Sequence, residues 1–230
     1  MPTPLALLHS PLLGDLSWRG VAQGLRARGR EVTVPAWPKL GDLGGDFYRS
    51  LALGMAAELG DTPTIAVLHS GAGALAPALE AASGTVQGFI FVDAILPHPG
   101  RSWFDTAPPP LAQSLRGGAE FGMLPAWDAW WPPGALQRLL PDETVREALT
   151  SELEPLPLAY FEEAAPDTQI SRPAAYLQLS GAYDEEGRLA TRQGWPLVRL
   201  PMHHLAMLTH VEAVTTAIEG LAGRLEPRLG

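Results

Sequence analysis

The sequence predicts an α/β fold in which a mostly parallel sheet carries helices on both faces. Three observations predict it. Short apolar runs alternate along the chain with segments of helical period. The runs are continuously apolar rather than apolar at every second residue, as strands covered on both faces must be. A length of 230 residues suffices for one domain with a sizeable core.

Leu5 to Leu8 is the first apolar run. A helix follows from about Trp18 to Arg28, with Ser17 as its cap and Gly29 as its stop. Glu31 to Val34 is the next strand, closed by Pro35. Asp46 opens a helix whose apolar positions Phe47, Leu51, Met55 and Leu59 recur every four residues. Thr64 to Leu68 is a buried strand running through His69-Ser70-Gly71 into a small-residue helix, Ala72 to Ala82, ended by Gly84. Phe89 to Val92 is another buried strand and stops at Asp93. The C-terminal part reads as a strand over Ala174 to Leu179, a short helix, a strand over Leu197 to Leu200, and a last helix capped by a Thr209/Glu212 box.

Between Pro97 and Pro173 the rhythm stops. This stretch holds 13 of the 23 prolines and four of the seven tryptophans, too aromatic for a linker. It contains no convincing strand, and its clearest helix begins near Asp142. We read residues 101–166 as a helical cap inserted into a single domain spanning 1–230. Trp127, Trp130 and Trp131 read first as packing within that cap, and at least one of them is expected to face the cleft and help make a pocket for an apolar substrate.

Composition excludes several function classes. The net charge of −9 comes without a long acidic run and reads as solubility. The basic residues, nearly all Arg, are scattered, so no stripe exists to neutralise phosphates, and a nucleic-acid partner is not expected. Absence of cysteine removes disulfides, thiolate metal sites and Cys nucleophiles, and fits a cytoplasmic protein. The N-terminus lacks a basic signal-peptide start, and no run is long enough to span a bilayer. Nothing in the sequence speaks to oligomeric state.

Leu68-His69-Ser70-Gly71-Ala72-Gly73, between a strand and a helix, carries the chemistry. In a nucleophile elbow the Ser sits on a strained turn above the sheet, among small neighbours, because strand and helix pass close to it. Gly71 at the helix start supplies a backbone N–H to a developing oxyanion. The usual Gly-x-Ser-x-Gly pattern is loosened here, with Leu68 and Ala72 in place of its glycines and Gly73 one place later. Two alternatives compete: an inert tight turn, and a dinucleotide loop, since Gly71 to Ala76 fits G-x-G-x-x-A with Asp93 after the next strand. The unit is third in the chain, however, and a dinucleotide loop gives no role to Met202-His203-His204-Leu205. That segment follows the last strand, where a chain order of Ser, acid, His delivers the general base. Adjacent histidines point in different directions, so His204 faces the site and His203 serves structure. Their spacing does not suit a metal, and neither metal nor cofactor is expected.

With these motifs the chain resembles the α/β-hydrolase superfamily, specifically its small cap-bearing esterase and lyase-like members, over nearly its whole length. Leu7-Leu8-His9-Ser10-Pro11 followed by Trp18 resembles the family's His-Gly-x turn and downstream Trp; His204-Leu205 with Met207-Leu208-Thr209 resembles its terminal His segment. The resemblance implies an eight-stranded sheet entered here at its third strand, hence six strands in the order 4-3-5-6-7-8. One departure bears on the chemistry. The family's oxyanion turn donates an N–H from the position held here by Pro11, which has none. Leu12 or the Ser10 hydroxyl must take over, or the hole is incomplete.

The acid has two candidates. Gly181-Ala182-Tyr183-Asp184 resembles the family's Gly-x-x-Asp loop, and Asp93 holds the alternative position used by some members. Asp184 is favoured because its loop follows the strand just before the one that delivers His204. His69 is expected to pack under the elbow and His9 to hold the oxyanion loop, while His98 and His210 stay unassigned. The resulting expectation is a cofactor-free hydrolase acting on a small or medium apolar ester, thioester or lactone through acyl-Ser70. A cyclase or lyase using the same site and a catalytically inactive ligand-binding relative are the alternatives.

Overall fold

The structure, a computed structural model, describes residues 2–226. Among the described residues eight strands form: β1 (Leu5–Leu8), β2 (Val32–Thr33), β3 (Thr64–His69), β4 (Val86–Val92), β5 (Met123–Leu124), β6 (Leu156–Pro157), β7 (Ala174–Gln178) and β8 (Leu197–Arg199). Six of them make one sheet in the order β2-β1-β3-β4-β7-β8, with every pairing parallel. This is the order 4-3-5-6-7-8 expected from the sequence.

The helices are α1 (Leu16–Ala27), α2 (Phe47–Leu59), α3 (Ala76–Ala82), α4 (Trp103–Thr106), α5 (Pro109–Gly117), α6 (Ala135–Leu139), α7 (Glu143–Thr150), α8 (Leu158–Glu162), α9 (Asp184–Arg192), α10 (Ala206–Thr209) and α11 (Val211–Leu225). Among the described residues no helix is long and apolar enough to cross a membrane.

Alternation of side chains along each strand divides the interior in two. Ala6 and Leu8 of β1, Ala66 and Leu68 of β3, and Phe89 and Phe91 of β4 join Leu51 and Met55 of α2 and Leu79 of α3 on one face. Leu5, Leu7, Ile65, Val67, Ile90 and Val92 join Trp18 and Leu25 of α1 and Ile218 and Leu221 of α11 on the other. The central strands are therefore largely apolar because most of their residues serve one of two cores.

Several local expectations are corrected. Ser17 lies inside α1, fully buried, and its hydroxyl donates to Gly14 O; Asp15 holds the cap position. The Thr209/Glu212 box does not form. Thr209 Oγ1 instead contacts His203 Nε2 and His210 Nδ1, and Glu212 pairs with Arg28. Between β3 and α3 the first turn, Ser70–Leu75, is a 3₁₀ helix rather than the start of a continuous α-helix. Gly73 shows why. A Cβ on it would lie 2.0 Å from the Ile95 carbonyl oxygen, so only glycine lets this turn pass the backbone after β4. Gly73→Ala is expected to destabilise the protein by about 2 kcal/mol or more through forced overpacking. A lowered urea midpoint with an unchanged m-value would show it.

The segment between β4 and β7 contains short helices and, against expectation, the small antiparallel pair β5–β6. The helix expected near Asp142 is α7, capped by the Asp142 carboxylate on Val145 N–H. Residues of this segment enter both cores, Phe104 and Phe161 on one side and Trp127 and Leu149 on the other. Its polar ties run to loops at the C-terminal ends of β1 and β2. Glu152 accepts from Leu16 N–H, Lys39 pairs with Glu154, and Glu163 accepts from the first two amides of α2.

Candidate active site

Strand β3 delivers Ser70, and the backbone there takes φ 57°, in the left-handed region. For a non-glycine residue that conformation costs on the order of 1–3 kcal/mol and persists only where the surroundings impose it. Here the buried β3 and the tight Gly71-Ala72-Gly73 turn impose it. Leu68, which departs from the usual elbow pattern, is simply a buried strand residue.

Ser70 Oγ donates to His204 Nε2 at 3.0 Å, and His204 Nδ1 donates to Asp93 Oδ2 at 2.8 Å. His204 comes from the loop between β8 and α10, and Asp93 directly follows β4, with its own φ at 42°. The Asp93 carboxylate is wholly buried, and four donors surround it. Leu179 N–H and Ser180 N–H reach Oδ1 at 2.8 and 2.9 Å, while Ser180 Oγ and His204 reach Oδ2 at 2.7 and 2.8 Å. A buried carboxylate is tolerable when so fully paired.

Asp184 is elsewhere, which corrects the sequence preference. It is the exposed first residue of α9, and its carboxylate accepts from Gln178 Nε2 at 2.5 Å. The loop after β7 does neighbour His204, as topology suggested. It contributes donors to the acid rather than the acid itself.

The other histidines divide cleanly. His69 is fully buried, donates from Nε2 to His204 O at 3.1 Å, and stacks obliquely on the His204 ring at 4.6 Å. Burial, followed by the neighbouring His204, pushes its pKa well down, so it stays neutral and acts as a support. His9 donates from Nδ1 to Ser10 O, and its own carbonyl accepts from Trp37 Nε1, fixing the loop after β1. His203 turns to Thr209. His98 donates to Arg101 O and meets the Tyr48 hydroxyl, tying the segment after β4 to α2.

Across Ser70 the loop after β1 brings Ser10 and Leu12 to Gly71. Leu12 N–H donates to Ser10 Oγ at 3.3 Å, and a Cβ on Gly71 would stand 3.2 Å from that oxygen. The Leu12 amide is thus engaged by the buried Ser10 hydroxyl oxygen.

Tyr183 went unnoticed in the sequence. Its ring stacks on His204 with 5.1 Å between centroids and 10° between planes, and its hydroxyl lies 3.5 Å from Ser70 Oγ. The signal was its place in a loop at the C-terminal end of a parallel strand, where such sheets bind ligands.

The three tryptophans proposed as cleft walls pack among aromatic neighbours of their own segment. Trp127 packs edge-on to Trp131, and Trp130 packs against Trp103 and Phe161. Trp131 is 42% exposed and borders a groove of about 300 Å³ with Pro132, Pro133 and Arg146.

The parallel sheet order, the left-handed serine after β3 and the histidine after β8 decide the architecture when set beside solved structures. The chain has the α/β-hydrolase fold. An extracellular α/β-hydrolase from a Paenibacillus species, described as sharing structural and functional homology with tobacco salicylic acid binding protein 2, superposes with a TM-score of 0.76 at 17% identity, over 96% of this chain and 99% of that one. Tomato methylketone synthase I in complex with 2-tridecanone gives 0.72 at 15%, over 98% and 100%. A pyrethroid hydrolase from Sphingobium faniae gives 0.70 at 20%, over 96% and 97%. No protein-family model matches the sequence, and no curated protein matches it either. Within this α/β-hydrolase fold the relatives include both hydrolases and a synthase, so the chemistry must be argued from the site.

Proposed function

We propose that this protein is a serine hydrolase cleaving a small or medium, largely apolar ester, thioester or lactone. One observation carries the reading: a strained serine is hydrogen-bonded to an imidazole whose other nitrogen is held by a buried carboxylate. Ser70 Oγ attacks the acyl carbon as its proton passes to His204 Nε2. Asp93 fixes the tautomer that leaves Nε2 free to accept and stabilises the imidazolium that forms. When the tetrahedral adduct collapses, the bond to the leaving oxygen or sulfur breaks and that atom takes the proton back from His204. Water, activated by the same nitrogen, then releases the acid from acyl-Ser70.

The oxyanion is met by Gly71 N–H and by the Ser10 hydroxyl. Leu12 N–H donates to one lone pair of Ser10 Oγ and leaves that hydroxyl its own proton to donate, in place of the amide that Pro11 lacks. The segment 101–166 serves as the cap over this site, supported by its ties to the loops after β1 and β2. That one structural relative is a pyrethroid hydrolase and another is complexed with 2-tridecanone accords with an apolar substrate.

Labelling with a fluorophosphonate probe, followed by peptide mapping, tests the reading. Stoichiometric modification at Ser70, and hydrolysis within a panel of acyl esters and thioesters, is the expected result. Pro11 favours a second reading, a cyclase or lyase that uses Ser70 and His204 for proton transfer alone. That reading gains if Ser70 is labelled yet no member of the panel is hydrolysed. A protein that neither labels nor hydrolyses is a ligand-binding relative.

A further inference from the structure

Tyr183 brings a third proton-bearing group to Ser70, and we infer that its phenol is a catalytic residue that hydrogen-bonds the leaving-group oxygen and, later, the hydrolytic water. The inference rests on the acyl-transfer reading above. Strand order gives the direction. Ser70 stands at the end of β3, with β1 on one side and β4, β7 and β8 on the other. The oxyanion donors Ser10 and Gly71 meet at the β1 side. His204 and Tyr183 arrive from the β7–β8 side, so the leaving group departs toward them.

The phenol lies flat along the imidazole and reaches the same Ser70 oxygen as His204 Nε2. A leaving-group oxygen that departs the acyl carbon on Ser70 toward Nε2 therefore passes beside the Tyr183 hydroxyl. Burial, foremost, raises the Tyr183 pKa far above its usual value, and the bond to Ser70 only partly offsets that, so the group stays protonated and donates. Among the described residues its hydroxyl has no other hydrogen-bond partner, and 3.5 Å to Ser70 is long for one. A largely enclosed phenol with so weak a partner is completed by a substrate oxygen or a water. The balance is simple. His204 gives its proton to the departing alkoxide, and Tyr183 lends a hydrogen bond while keeping its own proton, so both groups are ready for deacylation.

Alkyl esters, whose alkoxide needs that help, should depend on the phenol, whereas p-nitrophenyl esters of the same acid should not, because nitrophenolate leaves without a proton. The experiment compares Tyr183→Phe with wild type on an ethyl ester and a p-nitrophenyl ester of one acyl chain, under pre-steady-state conditions that isolate acylation. The expected result is a loss of about a hundredfold on the ethyl ester. Acylation by the nitrophenyl ester should stay within about threefold of wild type, since the ring still covers His204. Tyr183→Leu, which removes the stack too, is expected to slow both. Equal losses on both esters with Tyr183→Phe, or none on either, would overturn the role of the phenol while leaving the hydrolase intact. A wild type that neither labels at Ser70 nor turns over either ester overturns the hydrolase reading and this inference with it.

Discussion

Ser70→Ala and His204→Ala are each expected to lower kcat by about a millionfold, and the double variant is expected to be no worse than either. The reason is the single hydrogen bond between them, 3.0 Å long. Without the imidazole, Ser70 is an ordinary alcohol with nowhere to send its proton; without the hydroxyl, the imidazole has nothing to activate. Two groups that perform one act cannot lose it twice. Folding should survive both changes. Alanine takes the strained φ at position 70 no worse than serine does, and the His204 side chain is a site contact rather than a core member. Thermal melts within a few degrees of wild type, together with burst and steady-state kinetics on the best ester, check the claim. His203→Ala is the control. Its ring turns to Thr209, so activity should fall by less than about threefold.

What the sequence made legible follows from which forces are local. Strands covered on both faces are apolar at nearly every position, and β1, β3, β4 and β7 announce themselves because they feed two cores at once. Ser70 and His204 were legible because each sits between a strand and a helix, Ser70 among small neighbours and His204 after the last strand of the chain. The segment after β4 was not. Two-residue strands such as β5 and β6 and helices of four or five residues have no period to read, and tertiary packing alone sets their limits. Capping failed for a similar reason. Ser17 and Thr209 are good caps by type, but each finds a better partner from outside its helix start.

The choice between the two candidate carboxylates turned on a finer point. Chain order correctly placed the loop after β7 beside His204, yet adjacency of loops does not say which side chain turns inward. Asp184 opens α9, where its charge suits the helix start, and it stays exposed. Asp93 directly follows β4 and is itself wholly buried, so its charge needed a dedicated set of donors, and the same loop after β7 supplies three of them. Tyr183 escaped because a single aromatic in a polar loop has no pattern around it.

Asp93→Asn is accordingly expected to cost about 10⁴-fold in kcat, and Asp184→Asn less than about twofold. Every group around the Asp93 carboxylate is a donor: two amides at Oδ1, and the Ser180 hydroxyl and His204 Nδ1–H at Oδ2. An asparagine keeps its one oxygen for the amides of Leu179 and Ser180, which cannot rotate away. Its NH₂ then faces His204 Nδ1. Two donors cannot share that space, so the imidazole moves its proton to Nε2 and presents a bare Nδ1 instead. In that tautomer Nε2 no longer accepts from Ser70, and the nucleophile loses its base although every heavy atom has stayed in place. Ser180 adapts, because a hydroxyl rotates and accepts. At Asp184 the same replacement changes little, since the exposed side chain keeps an oxygen for Gln178. Nitrogen-15 NMR of the histidine rings provides the check, with Nδ1 protonated in wild type and Asp184→Asn and Nε2 protonated in Asp93→Asn. Full activity in Asp93→Asn with wild-type ring signals would remove Asp93 from the chemistry and reduce it to a pin for the loop after β7.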